Sequence, residues 1–442
     1  MRLSAVWLIV VGVAAAALAW GFVVGREPVP ARPSDLVRPV SSDWYERLPL
    51  DAVASTNAYL ERIPPDVRVR GEAYADTRLL AFALQVSSVL AATLLFTLGT
   101  FAARTRDRLR YATSRPILVD TSTSLVYFTA LYALTLPSQI YARFVRPHRA
   151  GFSDQTFAGW LTDDLINWAV LTAFYTLGVL IIYAVMRRRP GQWVAWATGA
   201  YAVLYALYVL LSPGVIEPLT NAFRPLADGP QKAQIVALAR ANGVDDVAVV
   251  TGDASRQTRL LNAHVSGFGS AARISVDDTT LQETTDPMLR FVVGHELGHF
   301  VLDHTIASTV TSTALAALGF IFIALGMRVA RRRSVQSHPA TSGDIGTLPL
   351  FWGLFLVWGF LSLPIGNAFS RVNERQADLY GLNASQAPHG MAEFMIHDAD
   401  HARLQPTAID YALFYDHPGD AERVATAMRW REETARLSDR VK

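Results

Sequence analysis

Phe291-Val292-Val293-Gly294-His295-Glu296-Leu297-Gly298-His299-Phe300 joins an apolar helix face to two imidazoles four residues apart. On an α-helix, positions i and i+4 lie one turn apart on one face, so both rings can grip a single ion. Glu296, next to the first imidazole, can reach water held at that ion and serve as general base. The competing reading is two surface histidines on an amphipathic helix. A catalytic zinc usually takes three protein ligands and keeps a fourth position for water. The third candidate stands in Ser370-Arg371-Val372-Asn373-Glu374-Arg375-Gln376-Ala377-Asp378, where Glu374 and Asp378 again share a helix face. Glu374 can complete the ligand set, and Asp378 can hydrogen-bond a ligand imidazole and fix its tautomer. Alone, that pair would read as a solvated helix face. After a two-histidine site that lacks an acid, it reads as the missing ligand.

Around these segments the chain is strongly apolar. Of its 442 residues, 51% are hydrophobic and 18% charged, and mean hydropathy is +0.23. This composition excludes a disordered chain, a collagen-like fibre and a disulfide scaffold. The absence of cysteine removes disulfides, thiol nucleophiles, Cys-ligated zinc and iron–sulfur clusters. A net charge of +2 gives no reason to expect nucleic acid as a partner. The apolar residues concentrate in seven runs, at 4–24, 79–102, 118–143, 165–186, 193–213, 305–329 and 348–369. Each approaches the roughly 20 residues that cross a bilayer as a helix. Trp20, Tyr141, Trp168 and Trp193 stand near run ends, as interfacial anchors do. One such run could be a buried core helix, but seven predict a mainly α, polytopic membrane protein in contact with the lipid bilayer. The first run, with Arg2 before it, also fits a signal peptide. Its apolar core is too long for that and no small-x-small cleavage site stands before Gly25, so an uncleaved anchor is expected.

Four segments follow. Residues 1–215 hold five transmembrane helices with a polar loop at 25–78. Residues 216–304 form a soluble insert with a small β-sheet, ending in the two-histidine helix. Residues 305–369 supply helices six and seven, and 370–442 form a helical C-terminal region that carries Glu374. Within the insert a helix is expected over 232–242 and strands near 247–251 and 273–276. Further helices are expected near 386–400 and 417–437.

The two histidine–acid motifs, His295-Glu-Leu-Gly-His299 and Ser370-Arg-x-x-Glu374-x-x-Ala-Asp378, resemble those of the M48 metallopeptidases. The seven-helix layout is similar to their Ste24-like branch, the type I CAAX prenyl proteases. Glu217-Pro218-Leu219 with Arg224-Pro225-Leu226 resembles the family's entry to the insert. Ser255-Arg256, Asn262-Ala263-His264-Val265-Ser266-Gly267-Phe268-Gly269 and Arg273-Ile274 to Asp278-Thr279 resemble its strand region. His417-Pro418 with Glu422-Arg423 resembles its C-terminal segment. The resemblance runs from about residue 213 to 425, and earlier only helix number and placement agree. It implies a gluzincin-like insert with one Zn2+ per chain on His295, His299 and Glu374. Glu296 would be the catalytic base and Asp378 a supporting acid or proton donor. His417 would stabilise an oxyanion, and Asn262, on an edge strand, and Arg423 would contact substrate. His264 stands where the family usually has an aromatic residue, and a strand-surface role is the plain alternative to a contact with substrate or metal. His304 reads as a polar residue opening run six.

The expected activity is therefore peptide-bond hydrolysis by activated water, on a peptide or a lipidated, possibly CAAX-type, peptide. A zinc-dependent transporter or receptor is the rival from another class. Against it, no run lines a path with Asp, Glu, Lys or His. An inactive polypeptide binder is a third reading, against which the presence of Glu296 argues. Orientation follows from charge. The amino terminus and the loops after runs two, four and six carry thirteen arginines against Asp107 and Asp344. The positive-inside rule puts that side in the cytoplasm and the zinc site outside it. That is opposite to the eukaryotic family picture, in which the site faces the cytosol.

Overall fold

The computed structural model describes residues 37, 40–267, 272–332, 341–397 and 399–441. The run at 4–24 lies outside the described residues. Two short helices, α1 (Ser42–Arg47) and α2 (Ala52–Glu61), lead into α3 (Pro65–Leu98) and α4 (Phe101–Ala112). Helix α5 (Pro116–Gln139) is followed by α6 (Phe157–Arg188) and α7 (Trp193–Leu211). The insert holds β1 (Phe223–Pro225), α8 (Pro230–Ala241), β2 (Ala248–Gly252), β3 (Ala263–Ser266), β4 (Arg273–Asp277) and α9 (Asp278–Glu283). Then come α10 (Asp286–Val301), α11 (His304–Arg332), α12 (Leu348–Ser385), α13 (Pro388–His397), α14 (Ala408–Leu413) and α15 (Asp420–Val441). Among the described residues, six helices are long and apolar enough to cross a membrane.

Local sequence explains the long helices. Pro65 starts α3 where a missing N–H costs nothing, because the first helical amides have no intrahelical acceptor. Pro137 removes an amide donor inside α5, and the helix widens into a π-helical turn, Ile140–Val145, before resuming as Arg146–Arg149. The span therefore continues past the proline that interrupts the run. Helix α12 is continuous through Pro364. Its 38 residues rise about 57 Å and carry both the last apolar run and Glu374.

Two features differ from expectation. Much of the described part of the polar stretch at 25–78 is helical rather than loop. Tyr59 of α2, Ile63 in the turn after it and Val67 of α3 are buried in one core with Val424 and Met428 of α15. Their polar neighbours are the wet side of amphipathic helices, which loop-like composition had disguised. The bundle interior also carries an acid. Asp164, buried, accepts from the Tyr132 hydroxyl at 2.7 Å and pairs with Arg143 at 3.3 Å. It falls one residue before the run at 165–186, but the helix itself begins at Phe157. Freedom from intramembrane acids is thus no argument against transport.

The insert builds a four-stranded sheet in the order β1-β2-β4-β3, with β2 and β4 parallel and the outer pairings antiparallel. Strand β3 is an edge, in register with β4 through Ala263 and Val276. One core joins this sheet to α2, α8, α10, α13 and α15 through Ile235, Ile274, Leu289, Val293, Met395 and Val424. A second core lies within the membrane bundle around Phe96, Tyr127, Val179, Tyr183, Phe320 and Phe351. Each side chain of the first core, removed from water, contributes about 1.5–3 kcal/mol relative to exposure, whereas the bundle core is held by close packing against lipid-facing helices.

Candidate active site

Helices α10 and α12 cross at residues with almost no side chain. A Cβ on Gly381 would meet the backbone N of His295 at 2.8 Å, and one on Gly298 would meet Cα of Ala377 at 3.1 Å. These contacts bring the backbones together at His295 and Gly298 on one helix and at Ala377 and Gly381 on the other, within about one turn of His299, Glu374 and Asp378.

The crossing places His295 Nε2 3.2 Å from His299 Nε2 and 3.2 Å from Glu374 Oε2, with His299 Nε2 3.4 Å from Glu374 Oε1. Among the described residues these three form the one group with metal-ligand geometry. Tetrahedral donors at about 2.0–2.1 Å from zinc stand about 3.3–3.4 Å apart, so the observed separations suit that ion. Two imidazole nitrogens facing each other beside a buried carboxylate also make poor partners without a cation between them.

The far nitrogens of both ligand rings are held. Asp378 Oδ1 lies 2.9 Å from His295 Nδ1, and Arg423 clamps both Asp378 oxygens at 2.6 and 3.0 Å. His295 thereby keeps a proton on Nδ1 and presents Nε2 to the point where His299 Nε2 and the Glu374 carboxylate meet. Burial would lower the His295 pKa, but Asp378 and Glu374 outweigh it and raise it to about 9. That excess of negative charge suits a bound cation. Glu296 lines the same cleft, and burial lifts its carboxyl above the ordinary range, partly countered by the two imidazoles and reinforced by Glu374.

His304 and Gln376 were not anticipated as site residues. His304 Nδ1 is 2.9 Å from His299 Nδ1, and its Nε2 is 3.0 Å from Gln376 Oε1. The amide oxygen can only accept, so His304 Nε2 donates to it and His304 Nδ1 accepts from His299. This fixes the proton of His299 on Nδ1 and leaves Nε2 free as a ligand atom. Asp303, in the left-handed region at φ 54°, makes the tight turn that folds His304 back onto His299. The only signal in the sequence is the Asp303-His304 pair, three residues beyond the end of the motif.

The remaining candidates meet the site unequally. His417, half exposed, has Nε2 3.1 Å from Glu374 Oε2 and Nδ1 2.8 Å from Asp416. Asn262 precedes β3 and is exposed, its backbone tied to Thr280 Oγ1 from both N and O at 2.8 Å. Arg423 lines the cleft, with its guanidinium turned to Asp378. His264 points elsewhere, to Glu217 at 3.3 Å, which also binds Arg273 at 3.0 Å. The cleft holds about 360 Å³, with Asn262, His295, Glu296 and His417 beside apolar Phe291, Val292, Phe394 and Met395.

Residues 226–431 match peptidase family M48, and residues 62–222 match the family described as CAAX prenyl protease N-terminal, five membrane helices. An uncharacterized metalloprotease of Bacillus subtilis, YhfN, is 32% identical over 53% of this chain, and the aligned part spans only 55% of that protein. The probable CAAX prenyl protease 1 of Schizosaccharomyces pombe is 26% identical over 71% of this chain and 67% of its own length. The crystal structure of Ste24p from S. mikatae superposes with a TM-score of 0.64 over 95% of this chain and 98% of that one, at 21% identity.

Proposed function

Since the chain belongs to the Ste24-like branch of peptidase family M48 and is a membrane metalloprotease, we propose that it is a zinc endopeptidase acting on peptide or membrane-associated substrates. The observation that carries this reading is the triangle of His295, His299 and Glu374 at tetrahedral spacing, with Glu296 in the same cleft. His295, His299 and Glu374 would hold the zinc, which would supply Lewis acidity toward a water and a carbonyl oxygen. Glu296 takes the proton from the attacking water and passes it to the leaving amine; its raised pKa suits both halves of that task. His417 donates to the oxygen that gains charge on the attacked carbonyl. Arg423 acts through Asp378, holding the His295 tautomer, and borders the space where substrate lies. Asn262, at the start of the edge strand, positions an extended substrate backbone beside β3.

Prenylated CAAX-type peptides are one substrate class, suggested by the names of the relatives, and the apolar cleft wall tolerates such a neighbour. The soluble insert 216–304 and the C-terminal region 370–442 act as one catalytic unit on the membrane helices. The Arg-rich loops favour an orientation with that unit outside the cytoplasm. The test is a pair of variants in the purified full chain. Glu296→Gln should keep about one zinc per chain and lose peptidase activity by at least about a hundredfold. Glu374→Ala should lose both. Full activity in Glu296→Gln would remove the mechanism.

A further inference from the structure

At the end of the bundle away from the zinc site, a cleft of about 460 Å³ opens between the end of α6, the start of α7 and the end of α11. Its floor is apolar, formed by Met186, Trp193, Ala324 and Met327, and its rim carries Arg187, Arg328 and Arg331. Arg187 is partly committed, to Asp120 at 2.8 Å and to the Gly343 carbonyl at 3.0 Å. Arg331 bonds the Ser342 hydroxyl. Among the described residues neither Arg328 nor Arg331 has a carboxylate partner. Thr341 and Ser342 add hydroxyls to the same rim.

We propose that this cleft binds the phosphate of an anionic phospholipid headgroup. Three arginines line a space large enough for a phosphate-bearing headgroup, Arg328 and Arg331 with no carboxylate partner among the described residues, and guanidinium forks match phosphate oxygens two at a time. The floor is made from the sides of membrane helices, so acyl chains leaving the headgroup meet apolar surface. A free phosphate would use only the rim and leave that floor wet. Basic clefts between helix ends on the cytoplasmic side favour anionic lipid in this way.

The test uses the purified full chain in neutral detergent, with thermal melting read against short-chain phosphatidylglycerol, phosphatidylcholine and inorganic phosphate. Phosphatidylglycerol should raise the melting temperature saturably, and the other two should not at equal concentration. Arg328→Gln with Arg331→Gln should weaken the apparent affinity about tenfold or more. Arg328→Gln alone should cost part of that, and Arg332→Gln, on the same helix end but outside the rim, should leave it unchanged. Zinc content and peptidase activity of each variant report that it is folded. Equal stabilisation by phosphatidylcholine, equal stabilisation by inorganic phosphate, or an unchanged affinity in the double variant would overturn the proposal. Because the readout is lipid binding, failure here leaves the zinc endopeptidase reading intact.

Discussion

His299 depends on a neighbour outside the motif that contains it. Without His304, its Nδ1 proton would have no fixed acceptor and the ring could turn or change tautomer. His304→Leu is therefore expected to weaken zinc affinity about 10–100-fold, measured by chelator competition. His304→Asn, which can still accept from His299 and donate to Gln376, should restore most of it. Equal losses in both variants would make His304 a packing residue instead. The difference between what was legible here and what was not is one of locality. His295, His299, Glu374 and Asp378 could be read because each pair is four apart on its own helix. The His304 and Gln376 contacts require a left-handed residue at Asp303 and the meeting of two helices, which no periodicity announces.

At the scale of elements, the α10–α12 crossing sets the site. Gly381→Ala would press a methyl group into the His295 backbone, so it should destabilise the protein by about 1–3 kcal/mol and lower zinc affinity with it. Gly366→Ala, on the same helix with nothing within 4 Å, should be neutral or slightly stabilising. Unfolding midpoints of the full chain in detergent compare the two. Strands β2 and β4 appear within a residue of their expected places, because their β-branched and apolar residues are marked by local pattern. Strands β1 and β3 are short and take their pairing from neighbours, and only the resemblance pointed to an edge strand near Asn262. The helices hidden in the polar stretch were missed because half their surface faces water.

For the molecule as a whole, the arginine-rich loops and the His295, His299 and Glu374 cluster stand toward opposite ends of α12. A reporter active only in the cytoplasm, fused after Lys442, should be silent; strong signal would reverse the orientation. The two ends are joined by one unbroken helix rather than by a linker. From Leu348 at the arginine-rich boundary to Glu374 the rise is about 39 Å, whereas the hydrocarbon layer is about 30 Å thick. If α12 crosses upright from a lipid boundary at Leu348, it acts as a ruler that holds the His295, His299 and Glu374 cluster about 9 Å beyond the opposite boundary. An extended chain climbs about 3.3–3.6 Å per residue, so a substrate tethered at that boundary presents the bond roughly three residues from its tether. Cleavage would then be counted from the anchor rather than spelled by side chains. Moving a lipid anchor one residue along an otherwise constant peptide should move the cut by one residue, and a cut that stays at one sequence would show that side chains do the choosing.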